Sequence, residues 1–315
     1  MLYPSETNDQ TWQAVARRAA QGIRRRVLEL TIQQNGCYFS QACSAAEILA
    51  TMYTRVLNLG PSEAPPVPPP FPGVPGEPGV ETFTGAAYHG PRGPEYDRFI
   101  VSPAHYAVAI YAALIEVGRM SPEVLADFNT DGSTVEMIGA EHSPGMELTT
   151  GSFGQALSQA AGIAAARRLK GETGRTWVFM SDGEFQEGQT WEALQAIAFH
   201  RLDGVGVIVD VNGQQVDGRM EDVMAIEPLA DRVTAFGARA IPVDGHDVEA
   251  IARAAETPPE GKAVVVLAYT NPAQGIDLLE ARKPDLHYVR FKSDEERQQY
   301  RDFLARMTAA AERVG

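Results

Sequence analysis

The chain is short of cysteine, short of positive charge and without a long apolar run. Only two of its 315 residues are cysteine, Cys37 and Cys43. No cluster of other ligand residues accompanies them, so they read as reduced thiols rather than a disulfide or a metal site. Lysine and arginine number 27 against 41 aspartate and glutamate, a net charge of −14. That deficit argues against nucleic acid or an anionic membrane as partner. It leaves phosphorylated small molecules open, because local groups decide their binding. No apolar run is long enough to cross a bilayer. The polar start MLYPSETNDQ lacks a basic segment followed by an apolar core, so no signal peptide is expected and the chain reads as soluble and cytoplasmic.

What is present is an alternation of helical and strand patterns. Residues 10–34 carry Trp12, Val15, Ala19, Ile23 and Val27 near helical spacing. A second helix is expected from Ser44 to Leu57, with Ser44 as N-cap and Glu47 completing a capping box. Composition then shifts: residues 61–94 are rich in proline and glycine and include PPVPPPFPGVPGEPG. This stretch is expected to be an extended surface loop inserted in the fold, near the entrance of any site after the next strand. Short apolar runs follow at 98–102, 176–180, 205–211, 238–243 and 263–269, each read as a strand buried on both faces. Helical patterns fill the gaps at about 105–118, 153–169, 188–201, 225–236 and 247–256, and a charged helix starts at Asp294. The pattern predicts an α/β fold, a doubly wound parallel sheet forming one domain over 1–315. Ligands in such sheets sit at the carboxyl ends of strands.

Two of those strand ends carry chemistry. In FMSDGEFQEGQTWEA a strand ends at Met180, a turn holds Asp182 and Gly183, and a helix begins soon after. Backbone N–H groups at such a start suit an anion, and Asp182 adds a hard oxygen beside it. The strand VGVIVDV ends at Asn212, thirty residues on. A carboxylate, an amide oxygen, a backbone carbonyl and phosphate oxygens together make a shell for Mg2+ or Ca2+. Either piece alone is common; both at strand ends are far more specific.

These residues carry a family resemblance. The run from Ser181 to Ile251 is similar to the N-terminal segment of transketolases, whose pattern is GDGE-x-QEG-x-x-WEA followed by a strand ending in asparagine. YDRFIVSPAHYAVAIYAAL resembles the family's R-D-R-F-x-L-S-x-G-H segment, and PGMELTTGSFGQALSQAAGIAAA resembles P-G-V-E-x-T-T-G-x-L-G-Q-G. The resemblance covers most of residues 10–290 except the proline-rich loop. It implies the thiamine-diphosphate-binding fold, thiamine diphosphate as cofactor and a divalent cation. Asp182, the side-chain oxygen of Asn212 and the main-chain carbonyl of Gln214 would hold the cation. Gly183 would touch the diphosphate through its N–H, with His105 and His287 alongside. Gly151 and Phe153 would border the cofactor rings. His142 would lie near the reacting carbon, while Glu187 and Glu192 would stand at a subunit interface and relay protons. Without the resemblance, Glu187 and Glu192 read as solvated helix charges, His200 and His246 as structural or surface residues, and His89 as solvated.

Three departures stand out. Ser181 replaces a glycine, a small change. In NGCYFSQACSAAEIL, Tyr38 stands where the family has a histidine; a phenol titrates near ~10 rather than ~6.5 and cannot serve as a neutral-pH base. The family continues into a pyrimidine-binding domain, whose glutamate activates the cofactor, and a C-terminal domain, whereas this sequence stops at Gly315. The expectation is therefore a split enzyme, active only with a second polypeptide in an α2β2 assembly and transferring a two-carbon ketol unit between sugars. A related carboligase resembling deoxyxylulose-phosphate synthase, and a non-catalytic remnant, are the alternatives.

Overall fold

The inner apolar runs suit a parallel sheet because they are rich in β-branched and aromatic residues and are buried on both faces. The structure is a computed structural model that describes residues 11–71, 73 and 83–312. In chain order come α1 (Trp12–Gln34), α2 (Phe39–Thr51), β1 (Arg98–Val101), α3 (Ala107–Glu116), α4 (Gln155–Lys170) and β2 (Thr176–Ser181). Then follow α5 (Gly188–Phe199), β3 (Val205–Val211), a small hairpin of β4 (Gln214–Gln215) and β5 (Gly218–Arg219), α6 (Met220–Val223) and α7 (Leu229–Ala235). The chain ends with β6 (Arg239–Asp244), α8 (Val248–Ala255), β7 (Val264–Tyr269), α9 (Asp277–Glu280) and α10 (Asp294–Glu312). Five strands pair in the order β1-β2-β3-β7-β6, every neighbouring pair parallel.

Side chains alternate along each inner strand and feed two cores. Trp177 and Phe179 of β2, Ile208 of β3 and Val264 and Val266 of β7 pack with α1, α2, α3 and α8. Val178 and Met180, Val207 and Val209, and Val265 and Leu267 pack with α4, α5 and α7 on the other face. Layers on both faces are what force these strands to be apolar throughout.

Several expectations change. Ser44 is not an N-cap: α2 already starts at Phe39, and the Ser44 hydroxyl donates to Asp210 Oδ2 at 2.5 Å. Glu47, its supposed capping partner, is instead ion-paired with Arg24 and bonded to His246 Nδ1 at 2.9 Å. His246 Nε2 in turn accepts from the Asn271 N–H at 2.8 Å, so this histidine ties α2 to the loop after β7. Beyond Thr51 the helix widens into a π turn over Met52–Val56. β6, one of the two edge strands, is half-exposed rather than buried on both faces, whereas the other edge strand, β1, is almost wholly buried. The helix expected over 225–236 forms only over Leu229–Ala235, after Pro228, which disfavours helix in the residue before it.

The proline-rich stretch is described on both flanks, while residues 72 and 74–82 lie outside the described residues. Its first flank docks through backbone groups, Ser121 N–H to Pro66 O at 2.9 Å and Phe71 N–H to Gly132 O at 2.8 Å. Its last part, a 3-10 turn over Gly85–His89, is core. His89, expected to be solvated, is 4% exposed. Its Nδ1 donates to Glu147 Oε1 at 2.9 Å, and Nε2 lies 2.9 Å from Tyr53 Oη. Arg98 is ion-paired with the same carboxylate.

Candidate active site

The loops after β1, β2, β3 and β7 converge on one cleft at the carboxyl edge of the sheet. Its walls include His105, Phe153, Asp182, Asn212, Pro272 and His287. Asp182 opens a short 3-10 turn directly after β2, and Asn212 follows the last residue of the neighbouring strand β3. The pairing of β2 with β3 brings these two residues together across thirty positions of sequence.

Asp182 is buried. Its Oδ1 accepts from the Gly183 N–H at 2.9 Å and its Oδ2 from the Gly213 N–H at 2.8 Å. Gly183 N–H, expected to face a diphosphate, is thus engaged by its neighbour's carboxylate. A Cβ at Gly183 would come within 3.1 Å of Gln215 Oε1, so glycine keeps this turn uncrowded. Burial and the adjacent charge of Asp210 push the Asp182 carboxyl up to about 8, and the groups that oppose this are backbone N–H donors rather than a cation. Asn212 Oδ1 accepts from the Gln214 N–H at 2.9 Å, an Asx turn that shapes the chain carrying the Gln214 carbonyl.

A divalent cation fits this donor set. Among the described residues no group of three or more His, Cys, Asp or Glu side chains could hold a metal, so the site depends on amide and carbonyl oxygens beside one carboxylate. Two observations favour the fit. Among the described residues the buried Asp182 carboxyl has no cationic partner, and Gln214 Oε1, the side-chain oxygen of the residue whose main-chain carbonyl would face the cation, is buried with no hydrogen-bond partner. Hard oxygens of this kind suit Mg2+ or Ca2+.

The histidines separate into two groups. His105, in the 3-10 turn after β1, lies 5.2 Å from His287, 5.8 Å from Phe153 and 5.2 Å from Tyr38, ring centre to ring centre. Burial and the nearby His287 lower it to about 3, so it stays neutral. His287 is also lowered, chiefly by burial, and packs edge-on against Tyr38 at 5.3 Å. Its carbonyl accepts from Gln41 Nε2 at 3.1 Å. Burial raises the Tyr38 phenol above its ordinary value. His142 does not line the cleft; it stacks on Phe71 of the proline-rich stretch at 4.2 Å and bonds Glu136 Oε2 at 2.8 Å.

Gly151, with φ of 89°, donates to Ser102 O at 3.3 Å and so ties the approach to α4 to the end of β1. Glu187 and Glu192 are exposed at the start of α5 and on its outer side; neither lines the cleft. His200 is exposed, in keeping with a surface residue.

Two buried acids went unnoticed in the sequence. Asp210, inside β3, receives Ser44, Thr270 Oγ1 at 2.5 Å, Tyr106 Oη at 2.8 Å and Asn212 Nδ2 at 3.2 Å. Glu184 receives Ser102, the Ser181 N–H at 3.0 Å and the Gly154 N–H at 3.3 Å, joining the ends of β1 and β2 to the start of α4. Burial raises it to about 7 despite those donors. A carboxylate within VGVIVDV was the available signal for Asp210. For Glu184 there was no such signal, since an acid near a helix start is common on a solvated surface.

The fold and the oxygen-lined cleft at the ends of β2 and β3 define an α/β domain with a polar site at the carboxyl edge of its parallel sheet, and comparison names its family. Residues 79–270 match the family described as transketolase, thiamine diphosphate binding domain. A transketolase family protein of Sinorhizobium fredii is 32% identical over 92% of this chain and 95% of its own length. One of the subunits of an apulose-4-phosphate transketolase from Actinobacillus succinogenes is 30% identical over 88% of this chain and 91% of its own length. Among solved structures, the transketolase of Campylobacter jejuni superposes with a TM-score of 0.72 at 21% identity, over 92% of this chain and 43% of that one. The chain thus spans less than half the length of that solved transketolase. This chain belongs to the transketolase family.

Proposed function

We propose that this chain is the diphosphate- and metal-binding subunit of a split transketolase, moving a two-carbon ketol unit between sugar or sugar-phosphate donors and acceptors in the cytoplasm. The observation that carries this is the meeting of Asp182 and Asn212 at the ends of adjacent strands, facing a cleft walled by His105 and His287. The likeness to the Actinobacillus protein, itself named as one subunit of a transketolase and matched over 91% of its length, supports the split.

In this reading one domain holds Mg2+, or Ca2+, through Asp182, the Asn212 amide oxygen and the Gln214 carbonyl. His105 and His287 contact the diphosphate, Gly183 meets it when its N–H turns from Asp182 Oδ1, and Gly151 and Phe153 border the rings of thiamine diphosphate. Bound cofactor supplies the carbon that accepts the two-carbon unit. His105, held neutral by burial, offers one ring nitrogen as donor and the other as acceptor throughout the physiological range. Tyr38 reaches the same corner but cannot take a proton at neutral pH, since burial raises its phenol further; it orients hydroxyls by hydrogen bonding. His142, held by Glu136 and Phe71, acts at the rim, beside the proline-rich loop at the entrance. Glu187 and Glu192, exposed on α5, relay protons where they meet a neighbouring polypeptide. A second polypeptide brings the pyrimidine-binding domain and its activating glutamate, in an α2β2 assembly. Tyr38 also favours a second reading, a related carboligase resembling deoxyxylulose-phosphate synthase, because the substitution alters the end that handles substrate hydroxyls.

Mixing the purified chain with its partner polypeptide, Mg2+ and thiamine diphosphate, against a panel of ketose donors and aldose acceptors, tests this. Ketol transfer should appear only in the mixture and vanish with Asp182→Ala. Equal transfer by the chain alone, or full activity of Asp182→Ala, would refute it.

A further inference from the structure

Asp210 is fully buried in β3, where its neighbours along the strand, Val209 and Val211, are apolar. A carboxyl in such a place costs stability unless it is well bonded. Four side chains face it. Ser44 reaches it from α2 at 2.5 Å, Thr270 from just beyond β7 at 2.5 Å and Tyr106 from the turn after β1 at 2.8 Å. The fourth is Asn212, two residues further along the chain, whose Nδ2 lies 3.2 Å from Asp210 Oδ2 and 3.1 Å from Tyr106 Oη.

An asparagine amide has nearly the same shape with its oxygen and nitrogen exchanged, so neighbours must decide its orientation. Tyr106 Oη spends its hydrogen on Asp210 and has only lone pairs left for Asn212. A carboxylate likewise only accepts. Both therefore require the NH2 of Asn212 on the inner side. Its oxygen then lies on the side of the Gln214 turn, where it accepts the Gln214 N–H at 2.9 Å. We infer that Asp210 is a positioning residue for the cation site: with Tyr106 it locks the Asn212 amide so that oxygen, never NH2, is offered to the cation. Ser44 and Thr270 hold Asp210 itself and carry this lock to α2 and β7. The inference rests on the proposed cation site, and Asp210 acts there without being a ligand.

Titration of the full-length chain with Mn2+ in the presence of thiamine diphosphate, reading free Mn2+ by electron paramagnetic resonance, requires no turnover. Loss of outer-sphere support typically lowers metal affinity 10–100-fold, so Asp210→Asn should weaken Mn2+ binding by about that factor and Tyr106→Phe by about threefold. Thermal denaturation shows whether each variant is folded. Tyr106→Phe removes one anchor of the amide without changing charge, and it carries the test alone if Asp210→Asn does not fold. Unchanged affinity in a folded Asp210→Asn overturns the inference. So does unchanged affinity in Tyr106→Phe, since any loss in Asp210→Asn is then an effect of charge. Asp182→Ala binding Mn2+ like the unaltered chain, or no binding by the unaltered chain, would instead overturn the cation site itself.

Discussion

Glu147 and Asp182 are both buried carboxyl groups beside the same sheet, and the chain treats them in opposite ways. Burial alone would raise Glu147, but the hydrogen bond and charge of His89 and the charge of Arg98 hold it below the ordinary carboxylate range. The Phe99 N–H adds a bond at 2.7 Å. Asp182 is raised to about 8 by burial and by a second carboxyl, Asp210, with only backbone N–H groups in compensation. Glu147 has its counter-charges built in and pins the proline-rich stretch to β1. Asp182 has none among the described residues, and a buried acid left that way in a cleft is a candidate functional group, which the proposed function pairs with a cation.

The sharpest way to break this contrast is to remove each acid in turn. Asp182→Ala should abolish ketol transfer in the reconstituted enzyme, a loss larger than the ~10–100-fold typical of outer-sphere changes, while leaving the folded chain at least as stable. Glu147→Gln should do the reverse. It leaves Arg98 and His89 without their carboxylate and should cost about 3 kcal/mol in denaturant unfolding, with Mn2+ affinity of the folded fraction unchanged. A cost below about 1 kcal/mol would place this cluster among weak surface-type pairs.

The histidines offer a smaller test. His105 sits near 3 rather than 6.5 because burial and His287 disfavour its cation. The unfolded chain takes up that proton near 6.5, so the contribution of His105 is complete above 6.5 and is lost as pH falls toward 3. Unfolding measured between about pH 7 and 5 should show a shallower loss in His105→Gln than in the unaltered chain; identical slopes would mean the ring is solvated. Smaller still, Tyr38→His should change the ranking of donors and acceptors more than it changes the overall rate, because Tyr38 packs on His105 and His287 and in the proposed function orients substrate hydroxyls. An unchanged ranking would remove Tyr38 from substrate recognition.

The two acids also differ in how visible they were. Asp182 could be read because its partners are local or lie at a family-typical distance: a turn glycine beside it and Asn212 at the next strand end. The inner strands were legible for a similar reason, since a run such as VVVLAY (residues 264–269) serves two cores at once. The role of His89 was not legible, because its partner Glu147 lies 58 residues further along the chain. Ser44 looked like a cap for the same reason, its real partner Asp210 being 166 residues on. β6 could not be told from an inner strand, as exposure at a sheet edge depends on which strand lies beside it. Local chemistry can be read along the chain; neutralised buried charge depends on contacts made only by folding.

In the proposed function the Asp182 end of the chain holds a cation and a diphosphate. Thermal unfolding of the purified chain with and without Mg2+ and thiamine diphosphate tests it directly. At ligand concentrations about a hundred times the dissociation constant, binding should stabilise the chain by about 2.7 kcal/mol and raise its midpoint accordingly, with no shift in Asp182→Ala. An equal shift in both proteins, or none in the unaltered chain, would contradict the account.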